Sequence, residues 1–257
     1  MRDLLIFFCF LVVLMLSCGS DNAVTTGPEE SDTTQTDTTQ TDTTESEYPE
    51  PDKLCALTFD DGPDVTKTNL VLDKLKNHDV VATFFVVGQR INDNTRPVLE
   101  RAVSMGCEIG NHSWGYESMT SMDSAQISES VENTTDAIEE YAGVSPNFFR
   151  PPNLAVNNTM YEAIDLPFAE GVLGFDWATG AGDTPEKVAN YVLSGMRDGA
   201  IILLHDVQPD PHPTPEALDT LIPVLKNMGY EFVTLSDLFD RKDVDPDVEY
   251  KMWKYVE

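Results

Sequence analysis

Asp60 and Asp61 stand side by side in the run Asp60-Asp61-Gly62-Pro63. Adjacent carboxylates can divide labour, one binding a cation that keeps it ionised and the other accepting a proton. The same residue types are ordinary punctuation between a strand and a turn, so the pair alone decides nothing. His112 and His205 are two of only four histidines in the 257 residues, and each closes an expected strand. An imidazole in such a place suits metal ligation or general acid work. Arg150 follows Phe148-Phe149 and Asp176 follows Phe175, which adds a fixed cation and a further carboxylate. These types together point to cation binding with paired acid and base catalysis.

Something must bring residues so far apart in sequence to one place. Leu54 to Phe59, Val81 to Val87, Cys107 to Asn111, Asn147 to Phe149, Val172 to Phe175, Ala200 to Leu204 and Glu231 to Leu235 read as short strands. Between them, Lys67 to Asn77 reads as a helix with Leu70, Leu72 and Leu75 inward. A second helix begins near Pro97, with Val98, Leu99, Ala102 and Val103 on one side. Ser124 to Tyr141 carries Ile127, Val131, Ile138 and Tyr141 at helical spacing and is stopped by Gly143. Thr214-Pro215-Glu216 reads as a cap, a proline and an acid opening a helix with Leu218, Leu221, Ile222 and Leu225. Strand and helix alternate, so the expected fold class is α/β, with mainly parallel strands and helices outside; a barrel and an open sheet both satisfy the pattern. The polar clusters all fall at carboxyl ends of expected strands, the edge where such folds build sites.

Composition excludes several alternatives. With 45 acidic and 16 basic side chains the net charge is −29, which repels nucleic-acid phosphates and anionic membrane surfaces. The four Cys, at 9, 18, 55 and 107, have no CxxC spacing, so neither a disulfide scaffold nor a zinc finger is expected. Cys55 and Cys107 read as buried free thiols, or as a disulfide in an oxidising compartment. Residues 1–17 read as a signal peptide: Arg2 precedes an unbroken apolar run of thirteen from Leu4 to Leu16, too short to span a bilayer. Residues 18–51 contain a twice-repeated Asp-Thr-Thr-Gln-Thr, nine acids and no base, the composition of a disordered, extended Thr-rich linker. Residues 52–257 remain as a single catalytic domain.

Thr58-Phe59-Asp60-Asp61-Gly62, Gly110-Asn111-His112-Ser113-Trp114, Phe149-Arg150-Pro151-Pro152, Asp176-Trp177 and Leu203-Leu204-His205-Asp206 resemble, in order and spacing, the five motifs of the polysaccharide deacetylase family, also called carbohydrate esterase family 4. His112-Ser113-Trp114 with Tyr116, Arg150-Pro151-Pro152-Asn153-Leu154, and His205 to Pro209 through Thr214 to Leu218 look most like its acetylxylan esterase branch. The resemblance implies a distorted (β/α) barrel that hydrolyses acetyl groups on a polysaccharide with a divalent metal ion, Co2+ or Zn2+. By the same resemblance Asp60 is the general base, Asp61 and His112 are metal ligands, and His205 is the general acid. Arg150 holds Asp60 and Asp176 tunes His205. Leu203 lines the acetyl pocket, and the Asn153 backbone N–H donates to the oxyanion. Trp114, Trp177 and Phe149 are candidate surfaces for sugar rings, with core packing the competing reading. Leu16-Ser17-Cys18-Gly19 resembles a bacterial lipoprotein cleavage site, which makes Cys18 a lipidation site on an exported, envelope-anchored protein, with plain secretion as the alternative.

Tyr116 departs from the family pattern, which has a second ligand His there. A phenol ligates poorly unless the metal deprotonates it. Three outcomes are open: ligation through the phenolic oxygen, water in its place, or an empty and inactive site. Asp61, His112 and oxygen donors make a harder, more octahedral set than zinc prefers, so tolerance of cobalt is expected. The expected partner is an acetylated polysaccharide, xylan foremost. An N-deacetylase of peptidoglycan or chitin-like chains and an inactive carbohydrate-binding relative are the rival readings.

Overall fold

The computed structural model describes residues 48–178 and 184–257. The expected signal peptide, Cys18 and most of the linker lie outside the described residues.

Fifteen regular elements follow in chain order: β1 (Lys53–Gly62), α1 (Lys67–Asn77), β2 (Thr83–Val86), α2 (Arg96–Ser104), β3 (Glu108–Asn111), α3 (Ser124–Ala142), α4 (Asn158–Ala163), β4 (Phe168–Ala169), β5 (Val172–Leu173), α5 (Pro185–Ser194), β6 (Ala200–His205), α6 (Thr214–Asn227), β7 (Tyr230–Val233), α7 (Leu235–Lys242) and β8 (Met252–Trp253). The main sheet runs β3-β2-β1-β6-β5, all parallel. β1 is its hub. β6 flanks it along one side, while on the other its first residues pair with β7 and its last with β2. Covered on both faces, β1 has Cys55 to Phe59 wholly buried, which is why that run is almost continuously apolar.

Single bridges close the sheet on itself. Asn111 of β3 meets Phe149, Phe149 meets Phe168 of β4, β4 pairs with β8, and Tyr255 just beyond β8 pairs antiparallel with Ala200 of β6. The result is an irregular barrel, which decides between the two sheet forms the sequence allows. Its lining includes Ala56, Phe85, Phe148, Ile201 and Val233, plugged by Leu235, Leu238, Phe239 and Trp253. A larger core joins the outer face of the sheet to α1, α2, α5 and α6.

α1 has the expected bounds, but Leu70 is 46% exposed; Thr68, Val71, Leu72 and Leu75 form the buried stripe. α3 is framed as its sequence dictates. Asp123 and Gln126 make a capping box at one end, and Gly143 takes the left-handed φ of 71° at the other. Asn147 to Phe149 is not a full strand, since only Phe149 forms bridges. β7 stops at Val233 because Thr234 caps α7. Cys55 and Cys107 are buried free thiols.

Candidate active site

Consecutive strand residues point to opposite faces, so a regular β1 would separate the carboxylates of Asp60 and Asp61. The β1–β2 register instead slips between Asp60 and Gly62, and Asp61 adopts a left-handed φ of 79°. This bulge brings both acids to one imidazole: His112 Nε2 lies 3.9 Å from Asp60 Oδ2 and 3.7 Å from Asp61 Oδ1. His112 Nδ1–H donates to the Arg150 carbonyl at 2.7 Å, which fixes the ring and leaves Nε2 aimed at the acids.

Arg150 follows the bridging Phe149 and is wholly buried over the Phe85 ring. Its Nη1 donates to Asp60 Oδ1 and to Thr58 Oγ1, each at 2.7 Å, and its Nη2 donates to the Glu170 carbonyl at 2.7 Å. Burial raises the Asp60 pKa, but Arg150, with His112 and His205 behind it, outweighs burial and holds the carboxyl below the usual range. Asp60 is therefore an ionised acceptor whose second oxygen faces the site. Asp61 lacks such a partner: burial, with Asp60 adding to it, lifts its pKa against His112 and His205.

β6 delivers His205 beside Asp60, in register with it. His205 Nδ1–H donates to Asp176 Oδ1 at 2.8 Å, and Asp176 Oδ2 accepts from the His205 backbone N–H at 2.7 Å and the Thr214 hydroxyl at 2.6 Å. Thr214 thus lies within the first turn of α6 and spends its hydroxyl on the site, and Pro213 takes the cap position assigned to it by sequence. Burial lowers the His205 pKa, yet Asp176, with Asp60 and Asp61 beyond, raises it to about 9. The imidazole is protonated at neutral pH, and among the described residues its Nε2 has no hydrogen-bond partner.

A cavity of about 440 Å³ gathers Asp60, Asp61, His112, Tyr116, Asn153, Leu203, His205 and Trp177. Arg150 and Asp176 stand behind it as supports. Asn153 takes a φ of 56°, and its backbone N–H donates no hydrogen bond among the described residues. Trp177 meets the His205 ring edge-on at 5.3 Å. Trp114 does not line this cavity: it is 37% exposed, its indole lies beside Gly88 and its backbone N–H donates to Ser130 Oγ of α3, while Phe149 is wholly buried. Tyr116 reaches the cavity edge, where its hydroxyl accepts from Arg90 Nε at 2.8 Å. Burial and Asp61 raise its pKa, against Arg90.

The donor set fits a divalent ion. A ligating His characteristically gives its other N–H to a carbonyl or carboxylate, as His112 does to Arg150, and its free nitrogen here looks at a carboxylate not committed to any cation. Among the described residues no group of three or more His, Cys, Asp or Glu is disposed to hold a metal, so Asp61 and His112 would need oxygen donors beside them.

Sequence reasoning missed Thr58, the Glu170 carbonyl, Thr214 and Arg90 as supports. Thr58 sits two before Asp60 and so on the same strand face, a signal that was available. Arg90 and a backbone carbonyl leave no such trace.

Residues 47–169 match the family model for polysaccharide deacetylase. The fold superposes with a TM-score of 0.77 on a family 4 acetyl xylan esterase from Clostridium thermocellum in complex with a cobalt ion, at 54% identity over 79% of this chain and 99% of that one. This chain belongs to the polysaccharide deacetylase family. A bifunctional xylanase/deacetylase of Pseudobutyrivibrio xylanivorans is 50% identical over 204 residues, 79% of this chain, and this chain spans 33% of its length. A peptidoglycan-N-acetylglucosamine deacetylase of Bacillus cereus is 33% identical over 202 residues, 76% of this chain and 92% of that protein. The irregular barrel is the family's distorted barrel.

Proposed function

We propose that the chain removes O-acetyl groups from xylan or a similar plant cell-wall polysaccharide, with a divalent ion held by Asp61 and His112. The observation that carries this reading is the convergence in one cavity of an ionised Asp60, a protonated His205 with a free Nε2, and the uncommitted Asp61–His112 pair. The 54% identity to an acetyl xylan esterase supports the ester over the amide.

When bound, the ion supplies Lewis-acid polarisation of the acetyl carbonyl and acidifies a water. Asp60 takes the proton from the attacking water on Oδ2, while Arg150 keeps its carboxylate ionised and oriented. The Asn153 N–H, without a partner among the described residues, would donate to the developing oxyanion. His205 Nε2 gives its proton to the departing sugar oxygen, and Asp176 holds the ring from behind. Leu203 offers an apolar wall to the acetyl methyl. An alkoxide leaves more readily than an amine, so a site with two protein donors is better matched to esters than to amides.

The test is acetate release from acetylated xylan and from N-acetylglucosamine oligomers, with metal content measured before and after chelation. Release from xylan, lost on chelation and restored by cobalt or zinc, is expected. Faster release from the amino-sugar oligomers would establish the N-deacetylase instead, and undiminished release after metal removal would overturn the ion's role. From Arg2, the apolar run and Cys18 we also propose export with a lipid anchor, which labelling with a fatty-acid probe in wild type and Cys18→Ala would test.

A further inference from the structure

Three large aromatic rings lie exposed beside the cavity. Trp177 is 43% exposed, Phe175 38% and Tyr191 42%. They form a chain of contacts: Trp177 to Phe175 with centroids 5.4 Å apart, then Phe175 to Tyr191 at 5.0 Å. The inner end of the chain is the site itself, since Trp177 lines the cavity and touches the His205 ring.

The backbone makes this display at a cost. Phe175 holds a φ of 56°, a conformation unfavourable for a bulky residue without compensation. The twist sends the Asp176 carboxylate inward to His205 while Phe175 and Trp177 stay outside. Tyr191 comes from α5, a separate element, whose buried stripe is Val188, Ala189 and Val192. Among the described residues neither the Trp177 indole N–H nor the Tyr191 hydroxyl has a hydrogen-bond partner, so each polar tip is left for an outside group. Flat rings with free polar tips suit sugar residues, which present C–H faces and hydroxyl edges.

We infer that Trp177, Phe175 and Tyr191 form a ledge that binds further sugar residues of the polysaccharide, extending recognition from the acetylated residue in the cavity out to Tyr191. The occupant is a neutral polysaccharide: the chain's net charge of −29 disfavours a polyanion, and the ledge continues the cavity where the acetylated residue sits. The ledge rests on the proposed esterase reading and adds to it a requirement for chain length.

Tyr191 touches none of the reacting groups, so the test uses Tyr191→Ala and Tyr191→Trp in the full chain. Acetate release is followed from acetylated xylan polymer and from acetylated xylobiose. Tyr191→Ala should raise KM for the polymer roughly three- to tenfold with little change in kcat, and leave KM for the xylobiose ester within about twofold. Tyr191→Trp should keep the wild-type KM for the polymer. An unchanged polymer KM in Tyr191→Ala, or an equal rise for both substrates, overturns the ledge. If wild-type protein releases acetate from neither, the esterase reading has failed, and electrophoretic retardation in gels containing xylan then judges the ledge alone. Retardation of wild type that is lost in Tyr191→Ala supports it, and equal mobility of the two proteins refutes it.

Discussion

Replacing Asp176 with Asn would keep the shape of the group behind His205 and remove its charge. His205 is raised from 6.5 to about 9 against the pull of burial, chiefly by Asp176. Without that carboxylate its pKa should fall to 6.5 or below, since burial then acts with less opposition. At pH 8 the protonated share would drop from about nine tenths to about 3%, so kcat/KM on acetylated xylan should fall roughly 30-fold from this cause alone. At pH 5.5 the protonated share is essentially complete in wild type and about nine tenths in the variant, so this component of the loss should nearly vanish. The ratio of variant to wild type across pH is therefore the measurement, taken together with an aryl acetate whose leaving group needs no proton. On the aryl ester the ratio should be nearly flat. A ratio on xylan that does not change with pH, or one that changes equally on both esters, would show that Asp176 does not work through the His205 proton. Asn also leaves one donor around position 176 facing a donor, and a thermal melt will separate that structural loss of about 1–3 kcal/mol from the catalytic one.

The His205–Asp176 pair also makes stability depend on pH. The folded pKa of about 9 exceeds the ordinary 6.5, so about 3 kcal/mol is fully present below pH 6.5 and lost as pH rises through 9; the urea midpoint of wild type should fall over that window, and the fall should be absent in His205→Gln. Tyr116→His would place a second imidazole at the edge of the Asp61–His112 pair, and competition with a chromophoric chelator should show zinc held at least about tenfold tighter; unchanged affinity would show that position 116 does not reach the ion. Gly62→Ala would drive a Cβ into the Asp206 carboxylate, which is wholly buried, so a loss of about 1–3 kcal/mol in urea and a lower kcat are expected, and wild-type values for both would refute the close fit.

Much of the fold was legible because periodicity and punctuation agreed. α1 has the expected bounds and α3 the expected stripe and stop, and Cys55 to Phe59 is almost continuously apolar because both its faces are covered. Closure into a barrel was legible through the family resemblance alone and not through periodicity. It depends on isolated bridges at Phe149 and Tyr255, and one residue pair carries no sequence period. At the site, residue types at strand ends located Asp60, Asp61, His112, Arg150, Asp176 and His205. What sequence could not give is how neighbours 60 and 61 come to face one imidazole, because that rests on a bulge and a left-handed φ. Thr214 was misread for a related reason: a Thr before Pro and Glu is good cap chemistry, and only the fold reveals that Asp176 claims its hydroxyl. Trp114 shows the limit of aromatic residues as signals, since it stands two residues after His112 and still does not line the cavity.

The seam where Tyr255 meets Ala200 means that the first residues of β6, ahead of its pairing with β5, keep one flank open until the segment after β8 has docked. An unsealed flank of that kind is a template for pairing with another molecule. Trimming the chain after Lys251 should therefore produce aggregation before it produces a soluble, less active protein.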